Sequence, residues 1–182
     1  HHLSRATTPF WTASTPPVIY RGLISDHDIL GQTELLSLNP WMKKKNLAKS
    51  EILRWKGARS DEVEGILYYP HNFEAGKRYP MMSVIHGGPA GTDRDRFGES
   101  YTRYMNLLAS KGSFVLRVNY HGSGNYGVEW VESIKGHYYD LEVPDILNGV
   151  DYVIGRGLVD PDQLGIMGWS NGSILAIQAC IE

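Results

Sequence analysis

Gly168-Trp169-Ser170-Asn171-Gly172 directly follows the apolar run Leu164-Gly165-Ile166-Met167 and opens onto Ile174-Leu175-Ala176-Ile177. A Gly-x-Ser-x-Gly between a buried strand and a helix leaves the backbone little choice. The turn is so sharp that the serine takes a strained geometry, and the two glycines remove Cβ atoms that would otherwise clash. The serine hydroxyl is then held up at the strand end. At average Gly and Ser usage the bare pattern arises by accident in roughly one chain in fifteen of this length. The weight therefore rests on the flanks, which read as a strand before and a helix after. Taken alone, the five residues also suit a tight Gly-rich turn with a capping serine.

Composition bounds what this turn belongs to. The chain has 182 residues, 42% of them hydrophobic, with a net charge of -2, enough for the core of one ordinary domain. So even a balance provides no basic field for nucleic acid, and Lys43-Lys44-Lys45 reads as a solvated face or linker. No apolar stretch reaches the roughly eighteen residues of a membrane span, and no charged, then apolar, then small-residue leader opens the chain, so no membrane partner is expected. His1-His2 at the start reads as a tag scar or a cut through a longer protein. The single Cys180 is expected to be a small buried hydrophobe. There is no HExxH and no paired Cys/His cluster, so no metal is expected. Gly122-Ser123-Gly124-Asn125-Tyr126-Gly127 matches Gly-x-Gly-x-x-Gly but lacks the helix opening and distal acid of a dinucleotide site, so no cofactor is expected either. The compartment is left open.

Along the chain, residues 1–46 carry short β-prone stretches between turn residues, such as Thr7-Thr8-Pro9-Phe10-Trp11 and Ser14-Thr15-Pro16-Pro17-Val18-Ile19-Tyr20. They suggest strand pieces without a core. Residues 51–55 and 63–69 flank 57–61 as two strands flank a hairpin loop, and Pro70 ends the second. The run 81–85 predicts a strand that stops at His86-Gly87-Gly88-Pro89. Tyr101, Met105, Leu107 and Leu108 recur at roughly helical spacing before Lys111-Gly112, and 114–118 reads as the next strand. Val143, Ile146, Leu147, Val150, Val153 and Ile154 mark an amphipathic helix closing at 155–157. A hairpin followed by strands alternating with helices predicts an α/β fold with a mostly parallel, doubly wound sheet, whose ligands bind beyond the carboxyl ends of the strands.

Both His86-Gly87-Gly88 and Ser170 fall at such ends. Attack on an ester or amide carbonyl puts negative charge on oxygen, and each backbone N–H aimed at it lowers the barrier by about 3 to 4 kcal/mol. Asn171, directly after the nucleophile, provides one donor. The second is expected from Gly88, where glycines let the main chain approach substrate. A serine on such an elbow works with an acid and a histidine that follow it in sequence. All seven histidines precede Ser170, so the base and its acid are expected beyond Glu182. His86 is expected to shape its loop by a hydrogen bond, His137 to be an exposed loop residue, and His121 is divided evenly between substrate contact and structure.

The ordered stretches Thr33-Glu34-Leu35-Leu36-Ser37-Leu38-Asn39-Pro40, Val63-Glu64-Gly65-Ile66-Leu67-Tyr68-Tyr69-Pro70, Lys77-Arg78-Tyr79-Pro80, His86-Gly87-Gly88-Pro89, Asn119-Tyr120-His121-Gly122-Ser123 and 159–168 running into the elbow together resemble the prolyl oligopeptidase family of serine peptidases, particularly its acylaminoacyl-peptidase and dipeptidyl-peptidase-like members. The resemblance implies an α/β-hydrolase domain preceded by a β-propeller that admits short peptides and excludes folded proteins. It makes residues 1–46 the tail of the propeller with its linker, and 47–182 the N-terminal half of the hydrolase domain, cut after the elbow. It makes Ser170 the acylated nucleophile, with Gly88 and Asn171 as oxyanion donors. Two departures stand out: Gly172 is followed by Ser173 rather than a further glycine, and His121 stands where many members have arginine. The implied function is hydrolysis of short peptides by a Ser-His-Asp acyl-enzyme mechanism. A carboxylesterase on the same fold and a non-catalytic hydrolase-like binding domain are the alternatives. Half a sheet also leaves an apolar edge exposed, so self-association into a homo-oligomer is expected.

Overall fold

The structure, a computed structural model, describes residues 5–98 and 104–182. The chain folds as two compact units, His1–Leu47 with Asp95–Gly98, and Ala48–Arg94 with Glu99–Glu182. His1-His2 and Tyr101 lie outside the described residues.

The first unit is an antiparallel meander of β1 (Arg5–Thr12), β2 (Thr15–Ile24) and β3 (Ile29–Ser37), paired in that order. Its prolines sit where a missing N–H does least harm: Pro9 on an edge strand, Pro16 and Pro17 in the opening residues of β2. Val18 and Gly22 are the buried strand residues, while β3 is exposed along most of its length. As the sequence suggests, these strands enclose almost no core of their own.

The second unit begins with the hairpin of β4 (Ser50–Lys56) and β5 (Glu62–Tyr68), in register from Ser50 opposite Tyr68 to Lys56 opposite Glu62. It continues through β6 (Tyr79–Ile85), α1 (Met105–Ser110), β7 (Phe114–Asn119), α2 (Val128–Glu132), α3 (Glu142–Gly155), β8 (Val159–Gly168) and α4 (Asn171–Ala179). The sheet order is β4-β5-β7-β6-β8. β6 runs parallel to both β7 and β8, and β5 is antiparallel to β4 and β7. Four strands thus share one direction and β5 opposes them, which makes the sheet mixed rather than uniformly parallel.

Central β7 is buried at all six positions, as a near-continuous apolar strand covered on both faces must be. Its one charge, Arg117, is paired with buried Asp93. The core gathers Trp55, Val63, Leu67, Phe114, Leu116 and Val118 from the sheet with Val143, Ile146 and Val153 of α3 and Leu175 of α4.

Two features depart from the expectation. The short helix α2 follows the Gly-rich stretch 122–127 and has no apolar periodicity to announce it. Cys180 is exposed, not buried: it lies one residue beyond the last turn of α4, at the C-cap, where no element covers it. Among the described residues, no helix is long and apolar enough to cross a membrane.

Candidate active site

β8 ends at Gly168 and α4 begins at Asn171, so two residues make the turn. Ser170 takes φ 56° and ψ -124°, a left-handed form that costs a non-glycine residue about 1 to 3 kcal/mol and persists only when the surroundings impose it. They do so by leaving no room. A Cβ on Gly168 would strike the Gly172 carbonyl, and one on Gly172 would strike the Ile85 carbonyl and lie 2.6 Å from that of His86. Trp169 N–H donates to Ile85 O at 3.3 Å. The turn is thus wedged onto the end of β6, and Ser170 is exposed at its crest.

The loop leaving β6 runs past the same crest. A Cβ on Gly87 would lie 2.5 Å from Trp169 O and 3.0 Å from Ser170 Cβ, so only glycine lets this backbone come so near the serine. Gly88 has φ +136° and is exposed, although a Cβ there would strike the backbone of Ala90 and Gly91. The first amides of α4 divide into two groups. Gly172 N–H donates to Trp169 O at 3.0 Å and Ser173 N–H to Ser170 O at 2.9 Å. The N–H groups of Asn171 and Gly88 have no hydrogen-bond partner among the described residues, as the first amides of a helix and of an open loop are free to lack one. The structure therefore brings Ser170, Asn171 and the Gly87-Gly88 loop together.

His86, His121 and His137 have other partners. His121 is 2% exposed, with its ring stacked on Trp130 at 3.9 Å. Its Nδ1 lies 2.6 Å from Asp145 Oδ2 and its Nε2 lies 3.3 Å from Asp61 Oδ2. Burial opposes its protonation, but the hydrogen bonds and charges of Asp145 and then Asp61 outweigh it and raise the ring above its ordinary pKa. A buried ring held by carboxylates at both nitrogens is a structural group, which resolves the divided expectation in favour of structure. The same Asp145 accepts from the N–H groups of His121 and Ala58, both at 2.7 Å. His137 is exposed and lies 3.8 Å from Asp140, as expected of a loop residue. His86 lies within its own loop, with Nδ1 at 3.0 Å from Gly87 O and Nε2 at 3.0 Å from Ser123 Oγ. Among the described residues, none hydrogen-bonds the Ser170 hydroxyl.

Several supporting groups carry no signal that sequence spacing reveals. Tyr120 and Ser123 are wholly buried beside His86. Asn119 binds the backbone of Asp93 in both directions, accepting from its N–H at 2.7 Å and donating to its carbonyl at 2.8 Å. Below the turn, a cavity of about 30 Å³ is lined by Val84, Ile85, Tyr104, Met167, Gly168 and Trp169. It is too small for a peptide side chain.

Comparison with known proteins identifies the family. Residues 99–181, which include Ser170 and Asn171, match the prolyl oligopeptidase family. The chain is 33% identical over 135 residues to dipeptidyl peptidase 8 of Homo sapiens, covering 72% of this chain and 15% of that protein. It is 36% identical over 102 residues to the acylamino-acid-releasing enzyme of Arabidopsis thaliana, covering 56% and 13%. Among solved structures, the acylaminoacyl peptidase of Pyrococcus horikoshii superposes with a TM-score of 0.75 at 25% identity, covering 95% of this chain and 27% of that one. The chain thus spans about a seventh of the length of the curated relatives it matches. By sequence match and by fold, it belongs to the prolyl oligopeptidase family of peptidases.

Proposed function

We propose that this chain carries the nucleophile and both oxyanion donors of a serine peptidase that hydrolyses short peptides through an acyl-enzyme. Ser170 Oγ attacks the scissile carbonyl carbon and passes its proton to a histidine. The negative charge that develops on the carbonyl oxygen is met by the N–H groups of Asn171 and Gly88. Collapse of the tetrahedral intermediate breaks the C–N bond, and the same histidine returns the proton to the departing amine. Water, activated by that histidine, then releases the acyl group from Ser170. Each oxyanion donor contributes about 3 to 4 kcal/mol to the barrier reduction. The histidine and its orienting aspartate lie outside residues 1–182, because in this fold both follow the nucleophile in chain order and every histidine of this chain precedes Ser170. On this reading residues 47–182 are the N-terminal half of an α/β-hydrolase domain, and 1–46 are the tail of a β-propeller with its linker.

The observation that carries the reading is Ser170 at φ 56°, exposed at a two-residue turn between strand and helix, with two unpartnered amides beside it. Support for peptides as substrates comes from the names of the matching relatives, a dipeptidyl peptidase and an acylamino-acid-releasing enzyme.

The test is Ser170→Ala in the full-length protein, assayed on matched aminoacyl esters and anilides. Turnover of both should fall by at least about 10⁴-fold, with loss of labelling by a fluorophosphonate. Turnover that survives the substitution would refute the reading, and a wild type that cleaves esters but not anilides would transfer it to a carboxylesterase.

A further inference from the structure

The N–H of Gly88 and the carbonyl of Gly87 belong to one peptide unit. In a planar trans peptide these two groups point in opposite directions, so whatever grips the carbonyl also aims the amide. The Gly87 carbonyl is gripped. His86 Nδ1 lies 3.0 Å from it, and Gly91 packs so closely on it that a Cβ there would strike the same oxygen.

A carbonyl only accepts, so Nδ1 carries the proton in this contact, and in the neutral ring Nε2 is then an acceptor. Ser123 Oγ stands 3.0 Å from Nε2 to donate to it. Tyr120 lies flat against the imidazole, with ring centroids 4.4 Å apart and an interplanar angle of 19°. Its hydroxyl donates to the His86 carbonyl at 2.8 Å. Burial pushes the Tyr120 phenol well above its ordinary pKa, so it stays a donor at any working pH. Tyr120 and Ser123 are both fully buried. They belong to the loop after β7, which also binds the loop after β6 through Gly124 N–H to Gly91 O at 3.0 Å.

We propose that Tyr120 and Ser123 are positioning residues for the oxyanion site: acting through His86, they hold the Gly87-Gly88 peptide so that the Gly88 N–H faces the acyl oxygen on Ser170. This rests on the assignment of Gly88 as an oxyanion donor. Neither residue touches substrate. Their effect belongs to the transition state, where the oxygen is charged, and not to the ground state.

The experiment compares wild type, Tyr120→Phe and Ser123→Ala in the full-length protein on an aminoacyl ester and its thionoester, with thermal unfolding recorded for each. Tyr120→Phe keeps the stacked ring and removes only the hydroxyl. Complete loss of an oxyanion donor costs about 10² to 10³ in kcat. A misaimed one is expected to lower kcat by about 10-fold while KM stays within about 2-fold. The preference for the oxo over the thiono substrate should shrink by about 5-fold, because sulfur draws less from the hole. Ser123→Ala should move the same quantities in the same direction, and the double variant should fall short of the product of the two because both act through His86. Unchanged kcat, or a fall in kcat with an unchanged oxo-to-thiono preference, in folded Tyr120→Phe and Ser123→Ala would overturn the proposal while leaving Ser170 as nucleophile. Full turnover in Ser170→Ala would remove the catalytic reading and this inference together.

Discussion

Ser170 and His121 illustrate opposite uses of local strain and charge. The serine is forced into an unfavourable backbone form by neighbours that cannot move, because the atoms its flanking glycines would have to push are backbone carbonyls of β6 and α4. The histidine takes a favourable charge from its neighbours, since Asp145 and Asp61 occupy its two nitrogens. Its folded-state pKa lies above the value of about 6.5 that the unfolded chain retains, so between those two values the folded state holds an extra proton. The stabilisation from His121 is therefore complete below about pH 6.5 and is lost as pH rises through the folded pKa. Urea unfolding of wild type and His121→Gln should show the wild-type advantage shrinking from about pH 6.5 upward. A constant difference between the two would mean that folding leaves the pKa of the ring unshifted. The role of Ser170's turn is legible in five adjacent residues, whereas His121's is not, because its partners are 24 and 60 positions away.

At the scale of elements, the β4–β5 hairpin is joined to α3 by one side chain. Trp55 is 5% exposed, donates from Nε1 to Asp145 O at 3.0 Å, and lies between two glycines. A Cβ on Gly149 of α3 would sit 2.6 Å from its Cζ2, and one on Gly65 of β5 would sit 2.7 Å from its Cη2. On these two sides the ring has no room for an added methyl group. Alanine is a better helix former than glycine by about 1 kcal/mol, but overpacking a filled core costs about 1 to 3 kcal/mol. Gly149→Ala should therefore be a net loss of about 1 kcal/mol in urea unfolding, and a gain would show that the indole moves at little cost. The amphipathic pattern announces α3 and the alternating strands announce the hairpin, yet nothing in either pattern pairs Gly149 with Trp55. That α2 is not anticipated has a related cause: its five residues include no buried one, so no apolar stripe marks it.

Over the molecule as a whole, apolar side chains are exposed on both units, and on the second some of them lie at one edge of the sheet. β8 is an edge strand, Leu164 on it is 44% exposed, and Ile174, Ile177 and Ile181 are exposed in and beyond α4. A groove of about 180 Å³ lined by Met81, Ile146, Leu147, Val150, Leu164 and Ile166 lies along the same region. An unpaired, apolar strand edge is a template for association. The 182-residue chain should accordingly self-associate, seen as a sedimentation coefficient that rises with protein concentration, and a stable monomer across that range would count against it.

The strand, turn and helix around Ser170 were determined by the sequence itself, since the steric demand of Gly168-Trp169-Ser170-Asn171-Gly172 acts between neighbours in the chain. So were the hairpin and the buried character of β7, which follow from residue alternation and an apolar run interrupted only by Arg117. Only the tertiary structure decided that β6 lies beside β8 in the order β4-β5-β7-β6-β8, and with it the approach of Gly87 to Ser170. The clasp of Tyr120 and Ser123 on His86 and the seat of His121 on Asp145 were decided at the same level. These contacts join residues 24 to 37 positions apart, a separation over which no local preference of the backbone acts, so they exist only once the packed sheet has brought its loops to one end.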